Sequence, residues 1–65
     1  MKIICNGEEK RLEEPTIIAG FMRQLGINSD SVVVEYNGKI LSKEEHSQAL
    51  EEGGVLELIR FVGGG

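Results

Sequence analysis

The chain has 65 residues, of which 40% are hydrophobic and 28% are charged, as is ordinary for one small globular domain. Seven basic and eleven acidic side chains give a net charge of -4, which disfavours binding to the phosphates of nucleic acid. So short a chain also leaves little room for a substrate pocket of its own, which disfavours an enzyme.

Cysteine usage and hydropathy indicate where the protein works. The one cysteine, Cys5, cannot form an internal disulfide, whereas small secreted domains usually contain several cysteines. No run of apolar residues approaches the length of a signal-peptide core or of a membrane span. We therefore expect a cytoplasmic protein that has neither a membrane nor a nucleic acid as its partner.

The first predicted element is a β-hairpin. Asn6-Gly7 lies between two runs that alternate in polarity, and Asn-Gly is the favoured two-residue hairpin turn because both positions take positive φ. Alternation along the first strand turns Cys5 toward the core and Ile4 toward the opposite side of the sheet. Leu12 is expected to return to the core at the end of the second strand.

The segment "EEPTIIAGFMRQLGI" (13–27) predicts an amphipathic helix. Thr16 is the expected N-cap, and Gly26 lies where a left-handed residue ends a helix, with Ile27 packing back on the last turn. Gly20 inside the helix predicts a close approach to a strand. The apolar face has helical spacing and consists of Ile18, Phe21, Met22 and Leu25.

The segment "VVVEYNGKIL" (32–41) predicts a second hairpin, with its turn at Asn37-Gly38. Ser42 and Glu45 have the spacing of a capping box and predict a short helical turn after the hairpin. The residues of the third strand that share one face are Val32, Val34 and Tyr36.

The segment "VLELIRFV" predicts the last strand, which follows a turn at Gly53-Gly54. Its Leu56 and Leu58 are expected to face the helix. The order is therefore strand, strand, helix, strand, strand, short helix and strand. One amphipathic helix can cover one face of a sheet, so we expect an α+β fold of two layers.

The uncovered face of the predicted sheet is apolar in part. Ile59 and Phe61 alternate with the leucines of the last strand, and Ile4 is expected beside them. Exposed apolar patches commonly mark binding surfaces, so we predict that these three residues dock a protein partner. The alternative is a local bulge that turns them inward.

Four segments resemble the ThiS family, the ubiquitin-like sulfur carriers of thiamin (thiazole) biosynthesis. They are "NGEE" (6–9), "TIIAGF" (16–21), "VVVEYNGKIL" (32–41) and "ELIRFVGGG" (57–65), and the resemblance covers the whole chain. The final segment is the most specific of the four. Two details depart from the family, which often has Gly-Asp in place of Gly53-Gly54 and an aromatic residue near His46.

The resemblance implies a β-grasp fold, with a mixed sheet of four to five strands and one main helix on one face. It implies a domain over 1–61 and a flexible tail over 62–65. A ThiF-like adenylating enzyme would use ATP and Mg to adenylate the Gly65 carboxylate. A cysteine desulfurase or related donor would convert it to a thiocarboxylate, and a ThiG-like thiazole synthase would receive the sulfur. The chain would then be a protein co-substrate with no bound cofactor, and not an enzyme.

The tail has a composition that suits this role. Glycine has no Cβ, so its backbone can pass close to the walls of a narrow channel, and three residues extend at most about 11 Å. The residues expected to thread the partner's site are Val62, Gly63 and Gly64. The alternative is a frayed or artefactual end.

Other functions remain open from the residues themselves. A MoaD-like carrier for molybdopterin synthesis, a modifier that forms isopeptide bonds with lysines, and a β-grasp interaction module would all suit the chain. Cys5 is interpreted as a buried structural thiol, with a sulfur relay as the alternative. His46 is interpreted as a surface or rim histidine, with a general base as the alternative. No second histidine is available to build a typical metal site with Cys5.

Overall fold

The computed structural model describes residues 1–61. It contains five strands and one α-helix in the predicted order, together with 3₁₀ helices at Ser29–Ser31 and Lys43–Ser47. The elements are β1 (Lys2–Cys5), β2 (Glu8–Arg11), α1 (Ile18–Gln24), β3 (Val32–Tyr36), β4 (Lys39–Leu41) and β5 (Val55–Arg60). No helix in this part of the chain is long and apolar enough to cross a membrane.

The strands form one mixed sheet in the order β2-β1-β5-β3-β4. β1 and β5 run parallel, with Ile4 opposite Val55, and the other neighbours are antiparallel. The last strand in sequence is therefore the central strand of the sheet. With α1 on one face, this is the β-grasp architecture, and the predicted α+β fold is confirmed.

The core lies between α1 and the sheet. The alternation predicted for each strand is confirmed, because the residues assigned to the core face are buried and their neighbours are not. Leu12 returns to the core as expected. The most deeply buried side chains are Ile3, Ile18, Met22, Val34 and Leu56.

Both predicted Asn-Gly turns are confirmed. Asn6 and Gly7 have φ values of 50° and 79°, and Asn37 and Gly38 have values of 51° and 86°. Two consecutive residues with positive φ define the turn whose twist matches that of the flanking strands. The predicted capping box is also present, because the Ser42 amide donates to a Glu45 carboxylate oxygen at 2.8 Å.

The predicted N-cap of α1 is wrong. The Thr16 hydroxyl donates to the Glu14 carbonyl at 2.8 Å, and the N-cap position is occupied by Ile17, which has no side-chain cap. The cause is tertiary: the Leu50 amide donates to the Thr16 carbonyl at 2.9 Å, which holds the chain extended up to Ile17. The helix therefore begins later, at Ile18.

The predicted C-terminus of α1 is confirmed. Gly26 has a φ of 73°, its amide donates to the Arg23 carbonyl at 3.0 Å, and the Ile27 amide donates to the Met22 carbonyl at 2.9 Å. These two bonds form a Schellman motif. The expected burial of Leu25 is wrong, since this residue is the C-cap and is 42% exposed.

The close approach to a strand that was predicted for Gly20 in the helix is wrong. A close approach of this kind occurs instead at Gly54, in the turn before β5. A Cβ at Gly20 would lie at ordinary distances from Ile17 and Thr16, 3.7 and 3.8 Å, and would meet no strand. A Cβ at Gly54 would lie 2.7 Å from Cε1 of Tyr36. The turn before β5 therefore needs a glycine at its second position because a buried tyrosine ring packs against its backbone.

Candidate functional site: the outer face of the sheet and the end of β5

We call the side of the sheet opposite α1 the outer face. Pairing aligns Val33 with Ile59, Glu35 with both Glu57 and Ile40, and Ile4 with Val55. These residues alternate with the buried ones along their strands, so they project away from the core. The outer face is composed of Ile4, Val33, Glu35, Ile40, Val55, Glu57 and Ile59, together with Lys2, Glu9 and Arg11 at the β2 edge of the sheet.

Of the three residues predicted to dock a partner, Ile4 lies opposite Val55 and Ile59 lies four residues further along β5, so the expected position of Ile4 beside Ile59 and Phe61 is wrong. Ile59 is 50% exposed and Phe61 is 59% exposed, whereas Ile4 is half-buried. The ladder between β3 and β5 is regular at Ile59, which lies opposite Val33, so the structure has no bulge that turns Ile59 inward. Their docking role stays a prediction.

β5 leads from the centre of the sheet toward the predicted tail. The last backbone hydrogen bond of the described chain joins the Phe61 amide to the Ser31 carbonyl at 3.1 Å. The predicted tail residues Val62, Gly63 and Gly64 and the predicted reactive Gly65 lie outside the described residues. The predicted boundary between domain and tail therefore stays a prediction.

Asparagine side chains in the two hairpin turns form hydrogen bonds with the backbone of β5, a contact that the sequence did not predict. The Asn6 carboxamide accepts from the Leu58 amide at 2.8 Å and donates to the Leu58 carbonyl at 3.3 Å. The Asn37 carboxamide accepts from the Val55 amide at 2.8 Å. The central strand β5 is thus fixed by asparagine side chains on both sides. Asparagine at both turns was visible in the sequence, but the position of β5 between them was not.

Cys5 is buried at the core face of β1, as predicted. Burial raises the pKa of its thiol, with the Lys10 charge acting in the opposite direction. A raised pKa disfavours the thiolate, which is the reactive form. This environment fits a structural thiol.

The expected surface position of His46 is wrong, because the residue is only 7% exposed. The capping box at Ser42 starts a 3₁₀ helix that carries His46 to the α1 side. There it lines a cleft of about 290 Å³ together with Met22 and Arg23. Within residues 1–61, no cluster of three or more His, Cys, Asp or Glu side chains could hold a metal ion.

The model of the ThiS family matches residues 3–65. The chain belongs to the ThiS family. The match runs through the fold just described and continues over the glycines at the end of the sequence. The resemblance inferred from four short segments is confirmed.

Solved structures agree with this assignment. The crystal structure of a thiamine biosynthesis protein (ThiS) from Geobacter metallireducens is 26% identical and superposes with a TM-score of 0.84, each chain being covered completely. An NMR solution structure of a thiamine biosynthesis protein from the same organism is also 26% identical. It has a TM-score of 0.78 and covers all of this chain and 88% of the other. The family's β-grasp fold is therefore shared in full.

Two longer relatives are similar to this ThiS-family chain along its whole length. A thiazole synthase of Paramagnetospirillum magneticum is 36% identical, and one of Magnetococcus marinus is 35% identical, each over 66 residues. The alignments cover 100% of this chain and 20% of each relative, so the chain spans about a fifth of the length of these curated relatives.

Proposed function

We propose that this protein is a sulfur carrier of thiamin biosynthesis that carries sulfur as a thiocarboxylate on Gly65. The observation that carries the proposal is the ThiS-family match over residues 3–65, which includes the glycines of the tail. The position of β5 supports it, because a strand fixed at the centre of the sheet gives the tail a rigid base. The protein is then a co-substrate and its partners are the catalysts.

The proposed chemistry needs an activating partner because a carboxylate is a poor electrophile. An oxygen of the Gly65 carboxylate attacks the α-phosphorus of Mg-bound ATP in a ThiF-like enzyme, and the bond to pyrophosphate breaks. Sulfide attacks the acyl carbon; in cells a cysteine desulfurase or related donor supplies this sulfur as a persulfide, from which a thiol reductant releases sulfide while the two thiol sulfurs form a disulfide. The bond to AMP breaks, and the thiocarboxylate forms with release of a proton.

The sulfur acceptor in this proposal is a ThiG-like thiazole synthase. The two relatives named thiazole synthase support this partner, since a segment similar to this chain forms a fifth of each. A carrier-like segment and a sulfur acceptor within one polypeptide are expected to pass sulfur from the first to the second. No bound cofactor is required of the carrier, because ATP and magnesium act in the activating enzyme.

The direct test is intact-mass spectrometry after incubation with the adenylating enzyme, Mg-ATP and sulfide. We expect the mass to rise by the difference between sulfur and oxygen, with the change localised to Gly65. A variant that lacks Gly65, and a variant with two alanines added after it, should fold and stay unmodified. Modification of the extended variant at the wild-type rate would contradict the proposal.

A further inference from the structure

Two carboxylates face each other at the middle of the outer face. Glu35 on β3 and Glu57 on β5 are directly opposite in the antiparallel ladder, and both are half-buried. Side chains at directly opposed positions have Cβ atoms about 5 Å apart, and like charges at such positions destabilise a sheet. The chain therefore keeps an unfavourable pair at a central site of its sheet.

No cation of the described chain neutralises this pair. The four ion pairs within residues 1–61 join Lys2 to Glu9, Lys10 to Glu8, Lys39 to Glu45 and Lys43 to Asp30. None of them includes either of the two opposed carboxylates.

The pair is surrounded by exposed apolar side chains. Ile40 lies beside Glu35 across the β3–β4 ladder and is 66% exposed. Val55 and Ile59 lie on either side of Glu57 along β5 and are 42% and 50% exposed. Within residues 1–61, seven large hydrophobic residues are exposed, and four of them belong to this side when Phe61 is included by its strand parity. Apolar side chains around a polar contact can exclude water from it when a partner binds, as the contacts around an interface hot spot do.

We propose that Glu35 and Glu57 together receive one basic side chain, an arginine or lysine, from an apolar surface of the adenylating enzyme. The inference deepens the proposed function and rests on it for the identity of the partner. A guanidinium group presents several donors in a planar fork and can bind two carboxylates at once. Docking replaces the repulsion between the two glutamates with two attractive contacts, while Ile40, Val55 and Ile59 exclude water around them.

The arrangement predicts opposite effects on stability and on binding. Neutralising both carboxylates removes the repulsion in the free protein, so Glu35→Gln/Glu57→Gln should unfold at a higher urea concentration than wild type. The same change removes both acceptors of the partner's cation. Charge pairs at the centre of an interface have large coupling energies, so we expect the dissociation constant to rise by at least about tenfold.

The experiment is calorimetric titration of the full chain with the purified adenylating enzyme, at low and at high salt. The matched control is Glu13→Gln/Glu14→Gln, which makes the same change in net charge at exposed positions between β2 and α1. We expect wild-type affinity from this control. The Glu57→Lys variant should also bind weakly. Its new lysine pairs with Glu35 within the chain and repels the basic side chain of the partner.

Each result bears on the proposal in one direction. Weaker binding by the Glu35→Gln/Glu57→Gln variant, with a smaller salt dependence than wild type, supports it. Unchanged affinity, or an equal loss in the Glu13→Gln/Glu14→Gln control, overturns it. The proposed function fails separately, since it is judged by sulfur at Gly65 in saturating enzyme, where the Glu35→Gln/Glu57→Gln variant should still be modified.

Discussion

At the scale of single residues, Gly54 and Tyr36 depend on each other. The tyrosine is 2% exposed, and its hydroxyl accepts a hydrogen bond from the Glu51 amide at 2.8 Å. The ring leaves no space for a Cβ on Gly54, which is buried against it. This glycine is required for packing and not for positive φ, unlike Gly53, whose φ is 77°.

Gly54→Ala should destabilise the protein by about 2 to 3 kcal/mol, since overpacking a core commonly costs about 1 to 3 kcal/mol and the Tyr36 hydrogen bond is disturbed as well. Urea denaturation followed by circular dichroism measures the change. The control is the same substitution in a Tyr36→Phe background, where the hydroxyl nearest to the new methyl group is absent. The cost should be smaller there but should not vanish, because the ring remains beside the new methyl group. No cost of Gly54→Ala in either background would contradict the packing argument.

At the scale of elements, local sequence signals set the end of α1, and a tertiary contact sets its start. Its end follows the sequence, because Gly26 and Ile27 complete a Schellman motif with groups in the preceding turn. Its start does not, because Leu50 holds Thr16 in an extended segment. Seven residues of helix are too few to be stable alone, so α1 depends on the burial of its apolar face.

Gly20→Ala should stabilise the protein by about 0.5 to 1 kcal/mol, because glycine loses more backbone entropy than alanine and the added methyl group meets no close contact. For a domain of this size, 1 kcal/mol corresponds to a rise in the melting temperature of about 4 to 8 °C. Thermal unfolding checks this value. The reciprocal control, Ala19→Gly, should lower the melting temperature. A lower melting temperature for Gly20→Ala would show that the position does need a glycine.

At the scale of the whole molecule, the sheet has one covered face and one open face. α1 and the 3₁₀ helix at Lys43–Ser47 lie on the covered side, and the exposed apolar residues of β4 and β5 lie on the other. The central strand β5 ends at Arg60, and Ile59 and Phe61 are exposed at this end, so a partner that binds them would also contact the end of β5.

Ile59→Asp should weaken recognition by the adenylating enzyme, because it places a charge in the predicted apolar contact. We expect the carrier concentration that gives half-maximal pyrophosphate release to rise at least about tenfold, the effect typical of an interface hot spot. Leu25→Asp is the matched control, since Leu25 is similarly exposed at the end of α1. Circular dichroism verifies that both variants fold. An equal effect in both variants would contradict docking at the outer face.

The sequence by itself determined the local features of this protein. Alternation placed Ile3 and Cys5 inward, Asn-Gly produced both hairpin turns, and Gly26 ended the helix. Each of these depends on residues within a few positions of one another, so the pattern contains the physical cause. The family assignment followed from four short segments of the sequence, because these segments include the turns, the helix and the strands that define the fold.

Only the tertiary structure decided the features that join distant parts of the chain. The burial of His46, the contact between Gly54 and Tyr36, and the opposition of Glu35 to Glu57 all depend on which strands become neighbours. Sequence alternation indicates the face on which a residue lies but not the residue across from it. Strand order and register supply that partner, and they are set by the packing of the whole sheet against α1.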